Sequence, residues 1–460
     1  MVKKHSLRFW IIFWTTSCIL LFAWFVFLQV KNHSISFLNR FVDIAPISRQ
    51  SQDDLHALID MADSVLQTND QEKTFLILFQ NNMEIRPGGG FIGSFGILKV
   101  KDGHVTEFAS HDVTNFDGRI PSIVPPPYPM KETLNIDSFK FRDSNYSPDF
   151  GENAKQAEYF YHLGDGQEQF DGVVAITTNV LSSFLKMTGS VSVPGYPGEY
   201  TADNAVLGLE EQVEKNFVEQ GVNRGDRKAI MNPLAYEILT RVKDFSISQK
   251  YELFKVILED LRRKDIQLSF KDDALQQRVE RAHWDGKVDA SWRDDYLMTV
   301  DANLGSWKSD YYVKRSMDYT VDFSSGKPHA KIAITYNHTA TEKSWLTKDY
   351  QTYLRVYVPK GSWLTNFSGN AAAPQFGDEF GKKYFGMLVY VKLGESKTVT
   401  FEYDLPQDLA RPLVGVSSDL YDLKIQKQPG LNDIPVAIHM IQKNGMREDR
   451  NIILNQDFLW

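Results

Sequence analysis

The chain has 460 residues, 42% of them hydrophobic and 24% charged. That is globular composition over more length than one ordinary domain holds, so two folded units with connectors are expected. The formal net charge of -8 argues against a nucleic-acid partner.

Residues 1–8 carry Lys3, Lys4 and Arg8. They precede an uncharged apolar run, Phe9 to Leu28, of about the length that crosses a bilayer. Trp10, Trp14 and Trp24 lie in it or near its ends. The positive-inside rule keeps residues 1–8 in the cytoplasm and sends the rest outside. A cleaved signal peptide is the competing reading, but no A-x-A-like site follows; the next residues are Gln29-Val30-Lys31-Asn32-His33. The expectation is a signal anchor over 9–29 and a single-pass membrane protein. Its only cysteine, Cys18, sits inside the apolar run, so the external part has no disulfide chemistry. An exported portion of this size without disulfides looks bacterial. The Asn-x-Ser/Thr triplets at Asn32, Asn145, Asn337 and Asn366 are then chance matches.

Residues 30–70 are a juxtamembrane linker. Leu55, Leu58, Ile59, Ala62, Val65 and Leu66 fall at helical spacing over 50–67. The polar face of that helix is acidic, which fits packing on a domain better than lying on a membrane.

A unit over 71–290 mixes strands and helices. Strands are expected at 74–80, 95–100, 105–111, 172–177 and 190–193. Helices are expected at 153–163, 180–188, 202–217, 228–243, 248–264 and 271–283, with Asn179 and Asp203 as caps and Pro233 as an interruption or a helix start. This is an α/β or α+β arrangement. From 291 to 460 the pattern turns to alternating apolar and polar residues, as in YLRVYVP (353–359), MLVYVKL (387–393) and KTVTFEYDLP (397–406). Strands at regular spacing without helices predict an all-β, immunoglobulin-like sandwich.

The densest chemistry is in the first strand-loop-strand, FLILFQNNMEIRPGGGFIGSFGILKV (75–100). Its loop carries Asn82, Glu84 and Arg86, then Gly88, Gly89 and Gly90. A fixed cation beside backbone that admits close approach suits an anion; a tight connection alone is the other reading. The loop RDSNYSPDF (142–150) adds Arg142, Asp143, Asn145 and Asp149, which could instead brace and cap. NRGDRKAIM (223–231) places Arg224 and Arg227 at a helix start. Arginine holds phosphate oxygens bidentately. Asp143 and Asp149, with Asp112 third, are the candidate carboxylates for a magnesium ion. The ten histidines are scattered, which argues against zinc. Ser183 and Lys186 fit S-x-x-K, but no K-T-G accompanies them. Trp345, Tyr350, Tyr353, Tyr357 and Trp363 are either core or a stacking surface.

Five segments resemble a bacterial family of membrane-anchored external proteins known only as domain of unknown function 4012. They are QNNMEIRPGGGFIGSFG (80–96), FRDSNYSPDFGENAKQAEYFY (141–161), FDGVVAITTNVLSSFLKMTGSVSVPGY (170–196), YTADN (200–204) and IQKQPG (425–430). More remotely, DGVVAITTNVLSSFLKMTGSVSV resembles a segment of LytR-CpsA-Psr proteins. Those transfer glycopolymers from polyprenyl-pyrophosphate carriers onto peptidoglycan, with arginines on the pyrophosphate and acidic residues on Mg²⁺. The resemblance implies a LytR-CpsA-Psr-like mixed sheet with flanking helices. It also implies, if the chain is an enzyme, a phosphotransferase using Arg86, Arg142, Asp143, Arg224 and Arg227. The chain departs from that family after Arg86, where EIRPGGGFIGS lacks the aspartate of the family's Arg-x-Asp-Thr run. The expected partners are the membrane and an anionic glycolipid or cell-wall polymer. The competing expectation is a non-catalytic envelope adaptor working through its sandwich.

Overall fold

The computed structural model describes residues 35–66, 71–219, 221–223, 225, 227–370, 372–410 and 421–460. The apolar segment 9–29 and residues Arg224 and Asp226 lie outside these. Among the described residues no helix is long and apolar enough to cross a membrane.

Helix α1 (Arg49–Leu66) leads to a five-stranded sheet of β1 (Lys73–Asn81), β2 (Phe91–Lys101), β3 (His104–Asp112), β4 (Gly172–Thr177) and β5 (Ile266–Phe270), in the order β3-β2-β1-β4-β5. β1 and β4 run parallel, with Leu76 opposite Val173 and Gln80 opposite Thr177. The other pairs are antiparallel. Side-chain alternation sends Leu76, Leu78, Phe95 and Ile97 to one face, against Ala154, Ala157 and Phe160 of α2 (Phe150–Leu163). Phe75, Ile77 and Val100 go to the other face. The apolar stripe of α1 packs beside it with Leu268, Val279 and Trp284.

Helices α3 (Thr178–Thr188), α4 (Ala205–Glu211) and α5 (Met231–Lys243) gather around a separate apolar cluster that includes Leu185, Ile230, Leu234 and Ile238. Pro233 occupies the first turn of α5, where its missing N–H costs nothing. Helices α6 (Ile247–Arg262) and α7 (Asp273–Arg281) complete the layer, α6 opening with a full capping box between Ser246 and Gln249.

Three expectations change here. β5 lies where no strand was expected. Residues 190–193 contribute only an isolated bridge, Val191 to Tyr200. Neither Asn179 nor Asp203 caps a helix: the residues preceding α3 and α4 are Thr177 and Asn204, without a side-chain cap.

From Asp295 onward the described chain forms two six-stranded sheets. One joins β7 (Val313–Asp322), β8 (His329–His338), β10 (Trp363–Ser368), β13 (Ser396–Asp404), β15 (Ile434–Ile441) and β16 (Arg447–Leu454). The other joins β6 (Asp295–Asn303), β9 (Tyr350–Pro359), β11 (Gln375–Glu379), β12 (Lys382–Val391), β14 (Leu423–Ile425) and β17 (Phe458–Leu459). Inward residues such as Tyr319, Ile332, Leu354, Val356 and Phe401 share one core. β15 runs parallel to β7, and β14 parallel to β6.

The sandwich and the α/β part are fused. Ile85, from the loop after β1, is fully buried in the sandwich core. Conversely Ala302, Leu304 and Tyr353 belong to the α/β core. β9 is therefore buried on both faces. Arg355 sits in that seam and donates to the Tyr146 carbonyl at 3.0 Å.

Candidate functional site

The loop between β1 and β2 holds its residues by contacts to distant chain. Arg86 has 2% of its side chain exposed. Its Nη2 lies 3.0 Å from Glu84 Oε1 and 3.5 Å from Asp143 Oδ1, and its Nη1 donates to the Asn303 carbonyl at 2.5 Å. The ring of Phe91 covers the guanidinium at 5.4 Å. Burial lowers the pKa of Arg86, but Glu84 and Asp143 outweigh it and keep the group charged. Burial raises the Asp143 carboxyl, with Arg86 opposing.

The three glycines pack against protein. Gly88 N–H donates to the Asn145 carbonyl at 3.0 Å, and Gln267 Nε2 donates to the Gly88 carbonyl at 2.8 Å. Asn145, fully buried, donates to the Gly90 carbonyl. A Cβ on Gly89 would meet Gln80 Oε1 at 2.3 Å, and one on Gly90 would meet the Asn81 carbonyl carbon at 2.5 Å. Gly430 fits only because it also lacks a Cβ, which would stand 1.9 Å from the Gly89 carbonyl oxygen. The smallness of this loop admits other parts of the chain: protein atoms stand where side chains at Gly88, Gly89 and Gly90 would be. In this structure the three glycines serve close packing of the chain on itself.

Arg86, Glu84, Asp143, Asn145 and Gly88–Gly90 thus meet, as one buried knot. The remaining candidates go elsewhere. Arg142 pairs through Nε with the buried Asp117. Asp149 caps α2, accepting from Glu152 N–H at 3.2 Å and Val288 N–H at 3.1 Å. Arg227 pairs with Glu214 at 2.9 Å and approaches Asp112 at 3.8 Å. Lys228 also pairs with Asp112, at 3.2 Å. Burial raises the Asp112 carboxyl, but Lys228, the Thr114 N–H and Arg227 together hold it below the usual range.

Asp112, Asp143 and Asp149 are therefore apart, each with its own task. Among the described residues no three His, Cys, Asp or Glu side chains gather as metal ligands do. The three carboxylates do not converge on one cation, and no step is routed through a magnesium ion. Ser183 donates to Asp260 at 2.9 Å while Lys186 is exposed, so the S-x-x-K pair does not form. Of the aromatics, Tyr350, Tyr353 and Tyr357 are core, whereas Trp363 is 73% and Trp345 40% exposed.

A second polar centre had no sequence signal of its own. Asp265, 1% exposed, accepts through Oδ1 from Thr177 Oγ1 and Asn179 Nδ2, each at 2.8 Å. Its Oδ2 accepts from Asn432 Nδ2 at 3.2 Å. Asn179 Oδ1 in turn accepts from Asn82 Nδ2, which also reaches the Gly430 carbonyl at 3.0 Å. Thr178 donates to Asn82 Oδ1. The carboxyl ends of the parallel strands β1 and β4 meet the β14–β15 loop here. Gln426, Lys427 and Gln428, from the segment IQKQPG, are all buried in the same seam.

The model of a family described as protein of unknown function, DUF4012, matches residues 70–213. The resemblance to DUF4012 read from the sequence stands. No curated protein matches the chain. Among solved structures, TagV of B. subtilis matches with 11% identity over 47% of this chain and 81% of its own, at a TM-score of 0.28. Lin1025 of Listeria innocua matches with 11% identity over 47% of this chain and 79% of its own, at 0.27. The transcriptional regulator YvhJ of Bacillus subtilis matches with 11% identity over 46% and 78%, at 0.26. Likenesses at such scores carry no argument about fold or activity. The DUF4012 match spans the knot at Arg86 and the Asn82–Asn179 pair, and stops before Asp265 and the sandwich.

Proposed function

We propose that this chain is a membrane-anchored, extracytoplasmic cell-envelope protein that binds a cell-wall polymer or a protein partner without transferring a group. The anchor is the apolar run Phe9 to Leu28 behind Lys3, Lys4 and Arg8. The twelve-stranded sandwich, taken as immunoglobulin-like, presents the binding surface together with the seam it shares with the α/β part.

The observation that carries this reading is the state of the three candidate arginines among the described residues. Transfer from a lipid pyrophosphate needs cations that converge on an open site and stay available to phosphate. Arg86 is buried against Glu84, Asp143 and the Asn303 carbonyl, Arg142 is paired with Asp117, and Arg227 with Glu214. Each is matched by the protein itself.

The test is titration of the full chain in detergent with a short-chain polyprenyl pyrophosphate, with and without Mg²⁺, beside Arg227→Ala. The expected result is no saturable binding in either condition. Saturable binding that Arg227→Ala abolishes would restore the phosphotransferase reading.

A further inference from the structure

Between the α/β part and the sandwich lies a cleft of about 500 Å³. That is within the roughly 300–1,000 Å³ of small-ligand sites, and such sites favour domain junctions and the carboxyl ends of parallel strands. Its α/β wall is formed by Asn82 after β1, Thr178, Asn179 and Ser182 of α3, and Asp203 before α4. Its sandwich wall is formed by Tyr311 and Lys314 near the start of β7 and by Asn432 and Asp433 before β15.

The polar groups of this cleft divide into two sets. Arg315 and Asp310 at its base are bound to each other at 2.5 Å, and Arg315 also reaches Asp301 at 2.8 Å, so they form a satisfied floor. Among the described residues, the side chains of Asp203, Asp433, Lys314 and Ser182 have no hydrogen-bond or ion-pair partner. Asn432 belongs to the wall and not to the free set: its Nδ2 is committed to Asp265, and its Oδ1 is closed off from solvent.

The free charges are two carboxylates and one ammonium, which disfavours a phosphate or pyrophosphate. What remains is a mixture of acceptors and donors beside the half-exposed ring of Tyr311 and the apolar side chains of Met83, Leu207 and Leu431. Hydroxyl groups answer the first, and the C–H face of a sugar ring answers the second. We propose that this interlobe cleft binds an uncharged, hydroxyl-rich saccharide unit, held by Ser182, Asp203, Lys314 and Asp433 with Tyr311 as its platform. This rests on the binding-protein reading above and gives it a site and a ligand class.

The test is calorimetric titration of the full chain in detergent with the tetramer of N-acetylglucosamine, with maltotetraose, and with inorganic pyrophosphate. Two variants accompany it. Asp203→Ala with Asp433→Asn removes the free carboxylates; the asparagine tolerates the positive φ of 54° at position 433. Ser182→Trp fills the cleft from α3. The expected result is saturable binding of a tetrasaccharide, weakened at least tenfold in both folded variants, and none of pyrophosphate. Failure of both tetrasaccharides to bind, binding unchanged in the variants, or displacement by pyrophosphate would each overturn the proposal. Absence of tetrasaccharide binding together with absence of polyprenyl-pyrophosphate binding removes this site alone. Binding of the polyprenyl pyrophosphate removes the binding-protein reading itself.

Discussion

The Arg86 guanidinium donates to the main-chain carbonyl of Asn303 at 2.5 Å, across 217 residues of chain. The cation that stands out beside a glycine run is a strut between the sheet of the α/β part and strand β6 of the sandwich. Arg86→Met keeps much of the volume but leaves the buried Asp143 and the partly buried Glu84 without their cation. Breaking a buried pair from one side costs about 3–5 kcal/mol. The midpoint of chemical unfolding is expected to fall accordingly, and a variant as stable as the parent would rule the strut out.

Gly430 and Gly195 have similar positive φ angles, 79° and 85°. They differ in surroundings: a Cβ at 195 meets nothing within 4 Å, whereas one at 430 meets the Gly89 carbonyl oxygen at 1.9 Å. An alanine at either position carries backbone strain of about 1–3 kcal/mol. Gly430→Ala must in addition push the two loops apart. Thermal unfolding is expected to show a clearly larger loss for Gly430→Ala than for Gly195→Ala. Equal losses would mean the loop contact is unimportant.

Asp260 titrates unlike an ordinary carboxyl. Burial pushes it up to about 7, against the hydrogen bond from Ser183 and with repulsion from Asp265. Below pH of about 4 both folded and unfolded states hold the proton, and the group's contribution to stability is fully present. Between there and about 7 the unfolded chain ionises first, so stability falls as pH rises, by on the order of 2–4 kcal/mol for a shift of this size. Asp285, also pushed to about 7, and Asp295, to about 6, act in the same direction. Asp260→Asn should therefore flatten part of the decline between pH 5 and 8 and be more stable than the parent at pH 8. Unfolding midpoints at the two values measure it; an unchanged slope contradicts the assignment.

Asp265 ties β4, α3 and the β14–β15 loop through three side-chain donors. Hydrogen bonds to a charged group contribute about 1.5–3 kcal/mol each, and they are not additive. Asp265→Ala is expected to destabilise the protein by several kcal/mol on that scale and to raise amide hydrogen exchange locally at residues 426–434. It also removes the carboxylate that opposes the burial-lowered pKa of Lys427, about 8. Unchanged exchange in that segment would show the seam is held by something else.

Much of the fold was legible because it depends on local pattern. β1 and β4 were bounded by turn residues and apolar throughout, and the helices kept a 3.6-residue period. β5 was missed because Ile266–Phe270 is short and squeezed between two strong helical patterns, so nothing local separates it from their ends. The site was less legible. The glycines after Arg86 showed that something comes close, but nothing near them in sequence identifies Gly430 as that neighbour. IQKQPG was visible as a motif without a role, since the meaning of Gln426, Lys427 and Gln428 lies in burial between two parts of the chain. Asp265 resembled any acidic residue at the end of a helix until its partners at 177, 179 and 432 were brought to it.

The seam has a bearing on how the protein is made. β1 to β5 are complete by Phe270, yet Arg86, Gly89 and Asp265 must wait for Asn303, Gly430 and Asn432. Lys264 waits longer still, for Asp457 at 2.7 Å. During synthesis at about 5–20 residues per second, the α/β part therefore spends several seconds with Lys264 unpaired and Ile85 uncovered before the chain that receives them emerges. Its first visitor in that interval is whatever chaperone or neighbouring chain meets the growing polypeptide, which makes the order of emergence as much a part of this architecture as its contacts.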